Sequence, residues 1–297
     1  MSDEKDWSQQ QLQIFKAIAD NSGAVIGAKS LDGEYLYVNQ QYGRLFQRPV
    51  SDFIGRKDSE LFPAETAAQF RRADLLAQQS QNPISVEEVV PVDGIDRDFL
   101  SIKFPIYSTE GKLFATGLVA ADISKIKDLQ RQLQNMADHD VLTECYNRRK
   151  IMEIAELYLK KARRYQQDMA VLVFDLDHFK QVNDTFGHAV GDCILSGFVD
   201  RVNAELRKPD ELGRLGGEEF IAVLPDTSAV SALALAERIR EKIALWYPEQ
   251  LAGQQVTSSI GIAGFSLSLQ SLDELVAAAD HALYQAKAQG RNCVRLY

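Results

Sequence analysis

Ala170-Val-Leu-Val-Phe174 is a continuous apolar run, the pattern of a central strand buried on both faces. It leads straight into Asp175-Leu-Asp177-His-Phe-Lys180. Carboxylates therefore stand at the end of a buried strand, the sheet edge where α/β proteins place ligands. From about residue 139 onward, helical and strand patterns alternate. Leu195, Phe198, Val199, Val202 and Leu206 mark a helix, and Phe220–Leu224 and Val256–Ala263 predict further strands. Ser271 and Glu274 form a capping box. It opens a helix whose apolar face is Leu272, Leu275, Val276, Ala279 and Leu283, and Gly290 ends it.

The first half is patterned differently. Leu12, Phe15, Ile18 and Ala19 keep helical spacing, and Asp32-Gly33 separates the apolar stretches Ala24–Ala28 and Tyr35–Val38, a hairpin signal. Strands are predicted at Ile84–Val90, Asp98–Tyr107 and Lys112–Ala120, with turns at Asp93-Gly94 and Glu110-Gly111. The result is a small antiparallel sheet with helices on one side. Between the halves, Ile126, Leu129, Leu133 and Met136 follow 3-4-3 spacing among polar residues. A short parallel coiled coil or a packed connector helix has that stripe, and so does a surface helix resting on one domain. The expected division is a tail over 1–10, a domain over 11–121, a connector over 122–138 and a second domain over 139–297.

A formal net charge of −9 argues against nucleic-acid binding through backbone electrostatics, which needs clustered positive charge. Cys145, Cys193 and Cys293 are odd in number and lack C-x-x-C spacing. That suits a reducing compartment and argues against a disulfide framework or a zinc site. The start, Met1 to Trp7, is acidic and polar, unlike a signal peptide. No apolar run approaches the roughly 18 residues of a spanning helix. A soluble, cytoplasmic protein without membrane insertion is expected.

A second acidic pair lies in Gly216-Gly-Glu-Glu-Phe220, just before an apolar strand. The glycines allow a tight hairpin that pushes Glu218 and Glu219 outward. If the two strands are neighbours, Asp175 and Glu218 converge without His or Cys. That is a hard-oxygen site, suited to Mg²⁺ that keeps waters and phosphate oxygens.

With these stretches in view, the second domain resembles a GGDEF domain in its GGEEF spelling. The matching stretches are Phe174–Lys180, Asn183-Asp184, Gly187-His188, Gly191-Asp192, Arg214–Phe220, Val256–Ile262, Ala279–Lys287 and Gly290–Asn292, in the family's order and spacing. Asp140-Val-Leu-Thr-Glu-Cys-Tyr-Asn-Arg-Arg149 is similar to the family's entry pattern, with Glu144 and Cys145 where Gly and Leu are usual. Residues 11–124 resemble a PAS domain, through Tyr37-Val-Asn39, Phe53–Asp58 and Leu61-Phe-Pro63. Asp122-Ile-Ser124 is similar to the signature that joins PAS domains to connectors. The implied fold class is α+β: an N-terminal PAS domain with an antiparallel sheet and flanking helices, a connector helix, and a palm-like GGDEF domain whose central sheet is surrounded by helices.

The resemblance implies a diguanylate cyclase, which condenses two GTP into cyclic di-GMP and two pyrophosphates. Asp175, the Leu176 carbonyl and Glu218 would hold Mg²⁺, with Mn²⁺ a possible substitute. Glu218, with Glu219 and Lys180, would serve catalysis, Glu218 by helping to deprotonate the ribose 3′-hydroxyl. Asn183 and Asp192 would bind guanine, with His188 nearby. Lys180, Lys287 and Arg291 would meet phosphates, the last two on one helix face if the helix reaches that far. Arg207-Lys-Pro-Asp210 matches the inhibitory R-x-x-D product site, with Arg238 as its secondary arginine. The product is two-fold symmetric, so a homodimer is required.

For the PAS domain, residues 1–125 contain no His and no Cys, which removes a His-ligated haem and a flavin–cysteinyl photoadduct. Non-covalent flavin, a small organic ligand or no ligand stay open. Two other functions compete with the cyclase: a degenerate nucleotide receptor, and a scaffold driven by the PAS domain. Retention of Asp175, Lys180, Glu218 and Glu219 speaks against the receptor.

Overall fold

The computed structural model describes residues 2–266, 269 and 271–297; Met1, the first residue of the expected tail, lies outside them. The chain divides into two compact units, one up to Gln132 and one over Leu133–Tyr297.

The first unit opens on α1 (Ser2–Asn21), which starts well before the helix predicted from about residue 11. Then come β1 (Val25–Ser30), β2 (Tyr35–Val38), α2 (Gln40–Leu45), α3 (Asp58–Leu61), α4 (Ala64–Gln79), β3 (Ile84–Val92), β4 (Ile95–Tyr107) and β5 (Leu113–Asp122). The five strands form one antiparallel sheet in the order β2-β1-β5-β4-β3, as predicted. Alternation sorts the residues of β4: Phe99, Ser101 and Lys103 are buried, while Leu100 and Ile102 are exposed. The inward face packs with Phe53, Leu61 and Phe70 into one core.

That core encloses charges the pattern does not announce. Lys29 and Lys103 occupy inward strand positions and are about 1% exposed. Lys29 Nζ lies 2.6 Å from Asp58 Oδ2 and 3.0 Å from Asp74 Oδ2. Lys103 Nζ lies 3.1 Å from Asp74 Oδ1 and 3.0 Å from Glu88 Oε1. Buried lysines persist only when paired in this way. The Tyr35 hydroxyl donates to Asp58 Oδ1 at 2.7 Å and meets the Tyr42 hydroxyl at 2.5 Å. Burial pushes both phenols well above the ordinary range. The cavity that remains, between sheet and helices, is about 30 Å³. It is roughly water-sized, far below the 300 Å³ or so of an ordinary ligand pocket. A flavin would require this network to repack.

α5 (Ser124–Asp138) follows. Asp122 Oδ1 accepts from the Ser124 N–H, and Ser124 Oγ accepts from the Asp98 N–H, both at 2.9 Å. Lys127 pairs with Glu87 and Asp98. Ile126, Leu129, Leu133 and Met136 are all exposed.

The second unit contains β6 (Tyr146–Asn147), α6 (Arg148–Tyr165), β7 (Met169–Leu176), α7 (Phe179–Phe186), α8 (His188–Asn203), β8 (Glu211–Gly216), β9 (Glu219–Pro225), α9 (Ala229–Ala244), β10 (Ser258–Gly264), α10 (Leu272–Ala288) and β11 (Val294–Leu296). The sheet order is β11-β10-β7-β9-β8-β6. β7 is central and buried at every position, as the apolar run predicts. Ala170, Leu172, Phe174 and Leu176 face α7, α8 and α9, while Val171 and Val173 face α6 and α10. The capping box on α10 is formed. No helix among the described residues is long and apolar enough to cross a membrane.

Candidate active site

β7 delivers Asp175 and Leu176 to the sheet edge. β9 is its neighbour, with Asp175 opposite Glu219, and the Leu176 N–H donates to the Glu218 carbonyl at 3.3 Å. The turn between β8 and β9 is Gly217-Glu218, with Gly216 ending β8. Gly217 has φ +52°, a left-handed conformation that costs glycine nothing. The outward placement holds for Glu219, which is exposed, whereas Glu218 is half-buried. Asp175 is buried, and desolvation holds its carboxyl above the usual carboxylate range, although Lys287 draws it down. Desolvation raises Glu218 too, and the negative charge of Asp175 adds to the shift.

Lys287 Nζ lies 2.7 Å from Asp175 Oδ2. Asp177, two residues on, turns elsewhere. It accepts from Thr257 Oγ1 (2.8 Å), Ser259 Oγ (2.7 Å) and the Asn292 N–H (3.0 Å). Its work is to tie the entry of β10 and the turn after α10 to the end of β7. An Asp-x-Asp pair read from sequence gives no hint of that difference.

The residues expected to take guanine sit on the α7/α8 side. The Asn183 side chain lies against Gly191, where an added methyl would collide with its Oδ1; α8 approaches α7 closely because Gly191 has no Cβ. Asp192 follows, exposed, and His188 starts α8, also exposed. Lys180 and Arg291 are exposed and make no ion pair among the described residues. The condition attached to Lys287 and Arg291 is not met. α10 ends at Ala288, and Gly290 (φ +108°) and Arg291 (φ +66°) leave the helical region. Lys287 and Arg291 therefore do not share a helix face.

The donor set at the sheet edge is two carboxylates and a carbonyl, all oxygen. No group of three His, Cys, Asp or Glu side chains forms a metal cage among the described residues. A hard dication that keeps waters and takes phosphate oxygens fits such a partial set.

A further element of the site was invisible in the residue pattern. Arg214 on β8 donates to the Gly217 carbonyl through Nε (2.9 Å) and a terminal nitrogen (2.7 Å), and pairs with Asp140 Oδ1 at 3.0 Å. Asp140 also accepts from the Thr143 N–H and hydroxyl. The Asp-x-Leu-Thr segment thus holds the carboxylate hairpin through one guanidinium. Glu144, which stands where Gly is usual, adopts φ +58°, so the entry turn persists with a strained residue in it.

Arg207 grips Asp210 by fork and backbone (2.8–3.2 Å) and reaches the Pro225 carbonyl and Thr227 Oγ1. Asp210 is buried, while the Arg207 side chain is 56% exposed. Arg238 on α9 pairs with Glu205, just ahead of that turn.

Comparison with known proteins agrees with this geometry. Residues 137–293 match the family described as diguanylate cyclase, GGDEF domain, and residues 19–128 match the PAS fold. A diguanylate cyclase of Vibrio cholerae is 29% identical over 297 residues, covering 99% of this chain and 92% of its own length. Diguanylate cyclase DgcM of Escherichia coli is 37% identical over 203 residues, 68% of this chain and 48% of DgcM; the chain thus spans about half of that relative. The solved coiled coil and GGDEF domain of DgcB from Caulobacter crescentus, in complex with c-di-GMP, superposes with a TM-score of 0.56 at 26% identity, covering 59% of this chain and 93% of that one. SiaD from Pseudomonas aeruginosa, a diguanylate cyclase solved with its activator SiaC, gives 0.53 at 33% identity, covering 58% and 66%. With its family match running over more than half its length, this chain belongs to the GGDEF family of diguanylate cyclases, with a PAS-fold domain preceding the catalytic one.

Proposed function

We propose that this cyclase works as a Mg²⁺-dependent homodimer in which each protomer holds one GTP. The observation that carries the reading is the meeting of Asp175 and Glu218 at one sheet edge, two carboxylates pushed up by burial with a lysine beside them. Asp175, Glu218 and the Leu176 carbonyl would hold Mg²⁺ (or Mn²⁺), which supplies charge neutralisation for the triphosphate when bound. Asn183 and Asp192 orient guanine, with His188 beside it, and Lys180, Lys287 and Arg291 meet phosphate oxygens. Glu218 receives the 3′-hydroxyl proton, assisted electrostatically by Glu219. The 3′-oxygen of one nucleotide bonds to the α-phosphorus of the other as its bond to the bridging oxygen breaks and pyrophosphate leaves. Two such steps close the ring. Lys287 neutralises Asp175 until phosphates arrive, so nucleotide and metal binding are coupled.

The test is chromatography of the purified chain mixed with GTP and Mg²⁺. Cyclic di-GMP and pyrophosphate are the expected products. Glu218→Gln should lower turnover by a hundredfold or more, on the order of what loss of a general base costs, while the fold survives. Normal turnover in that variant would refute the assignment.

The Arg207–Asp210 pair is read as a feedback site for cyclic di-GMP, with Arg238 as its second cation. Guanidinium groups recognise phosphate and guanine edges through paired hydrogen bonds. Arg207→Ala should raise the product concentration needed for half-inhibition by roughly tenfold, the value of one charged hydrogen-bonded contact. Unchanged inhibition would retire this site. GTP supply puts the protein in the cytoplasm, which cell fractionation checks.

A further inference from the structure

Glu205 stands two residues past the end of α8, on the connection that carries Arg207 and Asp210 into β8. Its backbone is pinned there. The Glu205 N–H donates to the Val202 carbonyl at 3.0 Å, and the next residue, Leu206, packs against the core. The Glu205 carboxylate accepts from Arg238 Nε on α9, and the Glu205 carbonyl accepts from Arg238 Nη2 at 3.1 Å. Among the described residues, Arg238 Nη1 makes no bond, and no group besides Arg238 holds that carboxylate. The Arg238 side chain is 52% exposed and that of Glu205 18%. Asp210 is a different kind of partner. Its side chain is fully buried and accepts from the Arg207 backbone N–H as well as from the guanidinium.

We propose that Glu205 masks Arg238 and thereby sets the product concentration at which feedback begins. The inference rests on the feedback reading of Arg207, Asp210 and Arg238. Each of the two arginines already carries a carboxylate, so together they offer an incoming ligand no net charge. Cyclic di-GMP brings two phosphodiester charges, and its attraction to a guanidinium falls when that cation is neutralised. A paired grip on a phosphate or a guanine edge uses two N–H groups of one fork. The Nε–Nη2 fork of Arg238 is committed to residue 205. The product must displace the Glu205 carboxylate to take that fork, or bind through Nη1 to a cation already neutralised. Both routes weaken binding. Displacement is open to Glu205 because its pair with Arg238 is partly solvated, and such pairs are weak. It is closed to Asp210, whose buried carboxylate would lose its partners.

The test titrates cyclic di-GMP calorimetrically into the full chain and into its Glu205→Gln, Arg238→Ala and doubly substituted forms, each checked by thermal melting. Glu205→Gln should lower the Kd for cyclic di-GMP roughly two- to fivefold, the strength of a half-exposed ion pair. The product concentration for half-inhibition of GTP turnover should fall in step. Loss of a merely structural contact would not tighten binding. On the Arg238→Ala background the same substitution should leave the Kd unchanged, since no cation remains to be unmasked. Added salt weakens the exposed pair, so it should narrow the gap between Glu205→Gln and the unsubstituted chain. Equal Kd values with and without Glu205 overturn the proposal. So does a gain that persists without Arg238, because Glu205 would then act by general repulsion. A weaker Kd in Glu205→Gln overturns it too, because Glu205 would then hold the product itself. If Arg207→Ala leaves product binding unchanged, the feedback site lies elsewhere, and this proposal falls with that reading.

Discussion

Asp175 and Glu218 both carry a cost that the fold alone does not repay. Their carboxyls are raised by desolvation, and Glu218 also feels Asp175. A carboxyl raised in the folded state binds protons more readily there than in the unfolded chain. Its contribution to stability is therefore complete below the ordinary carboxylate pKa and is lost as pH rises through the folded one. Replacing Glu218 with Gln removes that loss. The metal-free Glu218→Gln chain should melt above the unsubstituted one at neutral pH, by on the order of 2 °C, with the gain vanishing below the ordinary carboxylate range. Calorimetry at the two pH values checks this; a gain at acid pH alone would contradict desolvation as the cause. Asp177 shows the opposite design. It accepts three hydrogen bonds within the fold, which gives it a structural role there.

Three strands hold their neighbours through charged side chains. In the first unit, β1 and β4 carry Lys29 and Lys103 to carboxylates on α3, α4 and β3. Lys103→Met should destabilise that unit by about 3–5 kcal/mol, because Glu88 would remain buried without its cation and Asp74 would keep only Lys29. Denaturant melts measure it, and a loss below 1 kcal/mol or so would mean that water reaches the network. In the second unit, β8 fixes the hairpin turn through Arg214, held in turn by Asp140. Asp140 lies two residues past the end of α5, so one ion pair and two hydrogen bonds connect the segment after that helix with the turn that carries Glu218.

At the scale of the molecule, two helices present exposed apolar residues. Ile126, Leu129, Leu133 and Met136 line one side of α5, and Leu12, Phe15 and Ile18 stand exposed on α1. A stripe at heptad-like spacing is stabilised by the same stripe on a second chain, and the dimeric cyclase proposed above needs that second chain. The double substitution Leu129→Asp and Leu133→Asp should shift the protein to monomer in sedimentation experiments. It should also cut turnover at micromolar protein by roughly tenfold or more, since assembly follows mass action. A variant that stays dimeric and active would place the essential contact elsewhere.

The central strand, the two carboxylate segments, the capping box and the antiparallel first sheet were legible because each is written in local periodicity or turn chemistry. Buried strands are apolar throughout, half-buried strands alternate, and Gly-Gly marks a reversal, whatever the remainder of the chain does. Other features lie outside local pattern. Lys29 and Lys103 look like surface residues until partners from α3, α4 and β3 surround them. Asp177 looks like a twin of Asp175 until β10 and the turn after α10 arrive. The links from Asp140 to Arg214 and from Glu205 to Arg238 join residues distant in sequence. Local sequence determined which segments are helix or strand and where acids accumulate. Only tertiary packing decided which acids meet, because burial and pairing depend on neighbours from remote parts of the chain.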